Sequence, residues 1–337
     1  MSPSLPKEIE HIENLAHRFS DKIKLRNLAQ IEHQAQSMPL YAVEIGCTSA
    51  NAPCLILTGA IHGVERIGSQ IILVYLKSLL KRASWDKRLA DTLDNLKILA
   101  VPVVNPWGVA LKRRSNHNGV DLMRNSPIES QNPPYHLHAG QSFSDKLPWY
   151  RGNPLQMEKE LQAIDAYING HIQSSRTCIL LDLHSGFGTR DRLWFPFAQN
   201  HNPPKHLAYY YMLYHVFRKS YPHYELYQFE PQWHQYTTHG DFWDWQVMKN
   251  QDNGKHCFLP LTLELGSWLW VKKNPLQLLQ FNQLFHPIKP HRVKRVQRRH
   301  STLLDYFIQV LDSDLVVQLS PSKKQKYQRQ ALKLWFQ

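Results

Sequence analysis

Gly59-Ala60-Ile61-His62-Gly63-Val64-Glu65 follows the apolar run Leu55-Ile56-Leu57-Thr58 and precedes an amphipathic segment from Ile67 to Leu80. A continuously apolar run suits a strand buried on both faces, and apolar residues at helical spacing suit a helix packed on it. The seven residues between are then a strand-to-helix turn. His62 and Glu65 lie three residues apart on that turn, where both can reach one small cation. Zinc accepts imidazole nitrogen and carboxylate oxygen, and a catalytic zinc takes three protein ligands with a position left for water. The turn offers two, so a third ligand, a base and an electrophile remain to be found.

Working outward, residues 7–36 read as one or two helices, with Ile9, Ile12, Leu15, Ala16 and Phe19 in register, and residues 1–38 as a helical cap. Strands are expected at Leu40–Ile45, Pro53–Ile61, Asn95–Asn105, Thr177–Leu183 and Cys257–Leu265. Helices are expected over Arg66–Arg82, Pro154–Gln173, 204–220, 275–286 and 291–311. The stretch from Gly108 to Arg151, rich in Asn, Pro, Ser and His, reads as a long loop, which inside a domain is usually functional. Strands alternating with helices imply an α/β fold with a mixed, mostly parallel sheet between helices, whose ligands bind beyond the carboxyl ends of the strands. One catalytic domain is assigned to residues 39–311 and a basic tail to 312–337.

Composition sets bounds. The 337 residues, 42% of them hydrophobic, can bury a large core. No run approaches the ~20 apolar residues of a membrane span, and the N-terminus has no signal-like apolar core, so a cytoplasmic location is expected. Four Cys without CxxC spacing read as buried free thiols rather than disulfides or thiolate zinc ligands. Much of the net charge of +13 lies in 291–300 and 323–326. Without a nucleic-acid motif beside it, this reads as solvated helix surface and tail, and nucleic acid is not the main expectation.

The polar candidates fall at the strand ends. His184 follows the strand at 177–183 and precedes the small pair Ser185-Gly186, which makes it the third ligand. Asp182 either faces away or holds a ligand's free ring N–H. Glu264, between Leu263 and Leu265, is either solvated or buried as a general base. Arg113 and Arg114 in the polar loop are candidates to stabilise an oxyanion. Together they describe metal-assisted hydrolysis.

With these residues in order, the chain resembles the zinc metallocarboxypeptidases over roughly residues 40–285. His62-Gly63-Val64-Glu65 and His184 match that family's zinc ligands, Asn105-Pro106-Trp107-Gly108 its NPDG turn, and Glu264 its catalytic Glu. The resemblance implies one zinc per chain and an eight-stranded mixed sheet. It also implies Arg114 as the group that polarises the scissile carbonyl. Arg124, followed by Asn125, would grip the substrate's terminal carboxylate, and Tyr236 would be the mobile substrate-binding Tyr. Three departures stand out. Met123 replaces the Asn that precedes this Arg, Trp107 the Asp of NPDG, and Trp243 lies where the family has the bottom of its side-chain pocket. The motif style is similar to bacterial murein-peptide amidases and to an uncharacterised bacterial branch. It is also similar to the succinylglutamate desuccinylase and aspartoacylase deacylases. The expected substrate is therefore a small or anionic peptide, with an N-acyl amino acid, or binding without turnover, as alternatives. Oligomeric state is not legible.

Overall fold

In a computed structural model, the strand of the opening stretch lies inside an eight-stranded sheet, and the described residues are 4–132, 137–186, 188–250, 256–273, 275, 277 and 284–337. In chain order the elements begin with α1 (Lys7–Arg18), β1 (Ile23–His33), β2 (Gln36–Gly46), β3 (Cys54–Gly59), α2 (Arg66–Arg82), α3 (Lys87–Asn95), β4 (Lys97–Val101) and α4 (Pro106–Ala110). There follow α5 (Lys159–Ser174), β5 (Thr177–Ser185), β6 (Asp191–Phe195), α6 (Leu207–Ser220), β7 (Tyr227–Pro231), α7 (Phe242–Asn250) and β8 (Cys257–Leu265). The last are α8 (Trp268–Lys273), α9 (Pro290–Arg299), α10 (Ser301–Asp312) and α11 (Pro321–Trp335). The strand order is β1-β2-β4-β3-β5-β8-β6-β7, with β4, β3, β5 and β8 mutually parallel and β1, β2 and β6 joined antiparallel.

Alternation along the central strands sets the site. Leu55 and Leu57, Ile179, Leu181 and Leu183, and Leu259, Leu261 and Leu263 pack into one apolar layer with α2, α6 and α10. On the other face Cys54 and Ile56, Cys178 and Leu180, and Phe258 pack against α5 and α7. Toward the carboxyl ends that second face turns polar, with Thr58, Asp182, His184, Thr262 and Glu264 all buried. The parallel register sets Thr58 beside Asp182, Asp182 beside Thr262, and His184 beside Glu264. A side-chain period of two thus delivers a polar cluster to one end of an otherwise apolar face.

The turn is held by close backbone contacts. A Cβ on Gly63 would stand 2.0 Å from the Gly108 carbonyl carbon, and one on Gly68 2.3 Å from the Leu183 carbonyl oxygen, so glycine is required at both. Asn105 caps α4 by accepting from the Gly108 amide (2.8 Å) and donates to the Ile61 carbonyl (3.2 Å), tying the Asn105–Gly108 turn to the His62 turn.

Several expectations are corrected. Residues 7–36 are not all helix: the helical period ends near Phe19, and β1 pairs along β2 across a turn at Gln34 (φ 54°). The expected 291–311 helix is two, meeting at His300, and most of the expected 275–286 helix lies outside the described residues. The segment read as a tail contains α11, whose Trp335 is buried, donates to the Phe229 carbonyl (2.9 Å) and packs on Phe195 and Phe229. Trp107 is buried and donates from its indole to the Ile31 carbonyl (2.7 Å), anchoring β1.

Candidate active site

His62, Glu65 and His184 are each at least 96% buried and offer ligand atoms all within 4.8 Å of one another. Glu65 is the last residue before α2, and its carboxylate makes no cap bond to that helix. It accepts instead from the Ser185 amide at Oε2 (2.8 Å) and from Arg114 Nη1 at Oε1 (3.3 Å). His184 Nδ1 lies 3.2 Å from Glu65 Oε2. That separation is close to the roughly 3.4 Å edge of a tetrahedron of ligands at zinc distances. Two imidazoles with one carboxylate suit zinc better than calcium or magnesium, which prefer all-oxygen shells.

Each imidazole has a carboxylate behind it. His184 Nε2 sits 2.6 Å from Asp182 Oδ2, and His62 Nδ1 3.5 Å from Asp121 Oδ1. Such partners orient a ligand ring and raise its basicity. Burial, reinforced by Arg114, pushes the His62 ring well below its ordinary pKa, so it is neutral with a lone pair to give. Burial opposes charge on His184 too, but Asp182 and Glu65 outweigh it and hold that ring well above the ordinary value. A metal binding there displaces a proton. These donors fit the family's zinc.

The three ligands line a cavity of about 630 Å³ together with Arg114, Met123, Arg124, Tyr236, Thr262 and Glu264. A larger groove of about 1090 Å³, between β1–β2 and α5, contains none of them. Arg114 donates to Asp121 Oδ2 (2.8 Å), and its Nη2 is 2.8 Å from His62 Nε2. Burial opposes its charge, but Asp121 and Glu65 outweigh that and raise its pKa. Arg113 does not line this cavity, and a neighbour of its charge is His33. Arg124 ends a single 3-10 turn, is buried, and donates weakly to the His138 carbonyl (two contacts of 3.4 Å). The ring of Tyr236 meets His138 and Trp194 edge-on.

Two residues expected against substrate do not line the cavity. Asn125 donates to the Arg151 carbonyl (2.7 Å) and accepts from the Glu158 amide (2.6 Å), so its amide is spent on the loop. Trp243 is buried and donates from its indole to Asp182 Oδ2 (2.8 Å), behind the ligand His184. Its bulk therefore supports the metal site instead of shortening a substrate pocket. Two further carboxylates of the site, Asp121 in the Gly108–Arg151 loop and Asp241, are not among the candidates the sequence offers. Asp241 resembles an ordinary helix cap, and its Oδ1 does accept from the Trp243 and Asp244 amides (3.0 Å each). Yet it lines the cavity, and its Oδ2 is buried without a hydrogen-bond partner among the described residues.

A candidate metal-holding set thus shares one cavity with two arginines and the carboxylate of Glu264. Residues 9–267 match the zinc carboxypeptidase family model, and the chain belongs to that family. Human carboxypeptidase D is 27% identical over 144 residues, covering 37% of this chain and 10% of that protein. Rat mast cell carboxypeptidase A is 23% identical over 192 residues, covering 52% and 44%. The matches thus span a tenth of the first of these relatives and somewhat under half of the second. Among solved structures, thrombin activatable fibrinolysis inhibitor superposes with a TM-score of 0.67 at 16% identity, over 90% of this chain and 72% of that one. Carboxypeptidase A from Helicoverpa armigera gives 0.66 at 16% identity, over 92% and 74%. At such identities these structures speak for the fold. No helix among the described residues is long and apolar enough to cross a membrane.

Proposed function

We propose that this chain is a zinc-dependent carboxypeptidase-type hydrolase that cleaves the last amide bond of a small or anionic peptide. The observation that carries this reading is the placement of Arg124, a buried cation, in the one cavity that also holds the His62-Glu65-His184 set and Glu264. Among the described residues this guanidinium makes two long bonds to the His138 carbonyl and meets the Tyr236 side chain, and with five N–H groups it keeps donors for a carboxylate. Zinc bound at the three ligands supplies Lewis-acid polarisation and activation of water. Glu264 takes a proton from the attacking water and returns it to the leaving amine. Arg114, fixed by Asp121, faces the charge that develops on the scissile carbonyl oxygen. Arg124 sets the register by holding the terminal carboxylate, which fixes which amide reaches Glu264. A cytoplasmic location goes with this reading, supported by four unpaired cysteines.

Met123 lines the cavity where an amide donor would help Arg124. Losing one hydrogen bond to a charged group costs ~1.5–3 kcal/mol, so ordinary C-terminal dipeptides bind roughly ten- to a hundredfold less well than at a site with both donors. Purified protein is to be analysed for zinc and assayed on C-terminal dipeptides, γ-glutamyl-diaminopimelate peptides and N-acyl amino acids. Peptide cleavage that falls ~10²–10⁴-fold in Glu264→Gln, with zinc retained, is the expected result. Unaltered kcat in that variant refutes the mechanism, and turnover of N-acyl amino acids alone replaces it with a deacylase.

A further inference from the structure

From Gly266 to Leu304 the sequence contains no Asp or Glu and eight Lys and Arg. This acid-free stretch includes α8 and α9. Lys272, Lys273, Lys289, Lys294, Arg295 and Arg298 are exposed, and among the described residues none of the six makes an ion pair. Val296 is buried and Val293 half-buried, so α9 is seated by its apolar stripe and turns its cations outward. An ordinary surface helix mixes both signs, and this one does not.

The face is tied to the cavity at both ends. Phe285 lines the cavity, and its carbonyl accepts from the Ser185 hydroxyl (2.7 Å), next to the ligand His184. Four residues later Lys289 caps α9. At the other end of α9, Arg299 pairs with Asp191 (2.9 Å), whose Oδ1 accepts from the Gly266 amide (3.0 Å), two residues beyond Glu264. The stretch that carries α9 is therefore tied at Phe285 to the cavity wall beside His184 and, through Asp191, to the end of the strand that carries Glu264.

We infer that the exposed cations of α8 and α9 form a docking face for an acidic polypeptide segment, which lies along them and leads its C-terminal end into the cavity. The inference rests on the peptidase reading above and names the substrate class of that site. Charge complementarity gives such a face its selectivity and speeds encounter. A nucleic acid fits less well, because Trp268 is the one exposed large aromatic there among the described residues, too few to stack successive bases.

The test uses the full, zinc-loaded chain and the triple variant Lys294→Glu, Arg295→Glu, Arg298→Glu, with circular dichroism to show that the variant folds. Fluorescein-labelled polyglutamate peptide and its polyglutamine counterpart are titrated by anisotropy at low and at physiological salt. The wild type prefers polyglutamate, the preference weakens with salt, and the variant loses about tenfold in affinity for it, the sum of three exposed charge pairs. The variant's kcat/KM on a neutral dipeptide stays unchanged. Equal binding of the two peptides by the wild type, or an unchanged preference in the variant, overturns the inference. Single-stranded oligonucleotide bound more tightly than polyglutamate of equal charge, and lost in the same variant, assigns the face to nucleic acid and also overturns it. A chain that hydrolyses no peptide fails the peptidase reading, while the anisotropy still decides the docking face.

Discussion

Asp182→Asn probes how the fold supports the metal. Asp182 is fully buried and accepts from Thr58 Oγ1 (2.8 Å) and Trp243 Nε1 (2.8 Å), with His184 Nε2 at 2.6 Å. An asparagine of the same shape can turn its carbonyl oxygen toward His184 and Trp243 and its amide toward Thr58, whose hydroxyl also accepts. Packing and hydrogen-bond count survive, and the negative charge behind His184 does not. Removing an outer partner of a ligating histidine typically weakens metal binding 10–100-fold, or about 1.4–2.7 kcal/mol. Competition against a calibrated zinc chelator is therefore expected to show that loss, with a thermal midpoint close to wild type in the presence of excess zinc. Asp182→Ala is the contrasting variant, because it strands the Trp243 indole and Thr58 hydroxyl at about 1–3 kcal/mol each and lowers stability as well. Zinc affinity unchanged in a folded Asp182→Asn would refute the argument that this carboxylate works through His184.

Arg114→Ala is expected to cost about 10²–10³-fold in kcat, by analogy with an oxyanion donor, while Arg113→Ala on the same loop leaves kcat within about twofold; equal losses would show that the electrophile is misassigned. Trp335→Ala removes a buried ring from the contact of α11 with Phe195 and Phe229, and chemical denaturation is expected to show a loss of about 3–5 kcal/mol where a mere tail would show none. Burial, with Arg66 and Arg299 adding to it, pushes His286 down to about 4 and His300 down to about 3 from 6.5. The unfolded chain then binds protons that the folded chain does not, so this stability is fully present above pH 6.5 and is lost on acidification, by up to about 1.4 kcal/mol per pH unit per ring, until pH 4 and 3 are reached. Denaturation midpoints measured from pH 7 to 5 are expected to fall less steeply in His300→Gln, and an unchanged slope would remove that ring from the account.

The local chemistry was written in the chain. Periods of two and 3.6 residues and the small residues around His62 marked the central strands, α2 and the turn, and the boundary between apolar strand and polar turn marked His184. Glu264 stood out as a charge between leucines, and a pattern spanning the chain tied these residues to one family. What only the tertiary structure decided was which distant groups meet. Trp243 and Asp182 are 61 residues apart, and Glu65 and Ser185 are 120 apart. Nothing in local spacing says that an indole will point at a carboxylate on another strand instead of into a pocket. Which of Arg113 and Arg114 lines the cavity likewise depends on where one loop turns its two side chains, and it is Arg114, which Asp121 comes back to meet. β1 and α11 are illegible in the sequence for the same cause. Their polar sequences carry weak periods of their own, and each acquires its place only from a partner, β2 in one case and the Phe195–Phe229 surface in the other, that supplies the face it lacks.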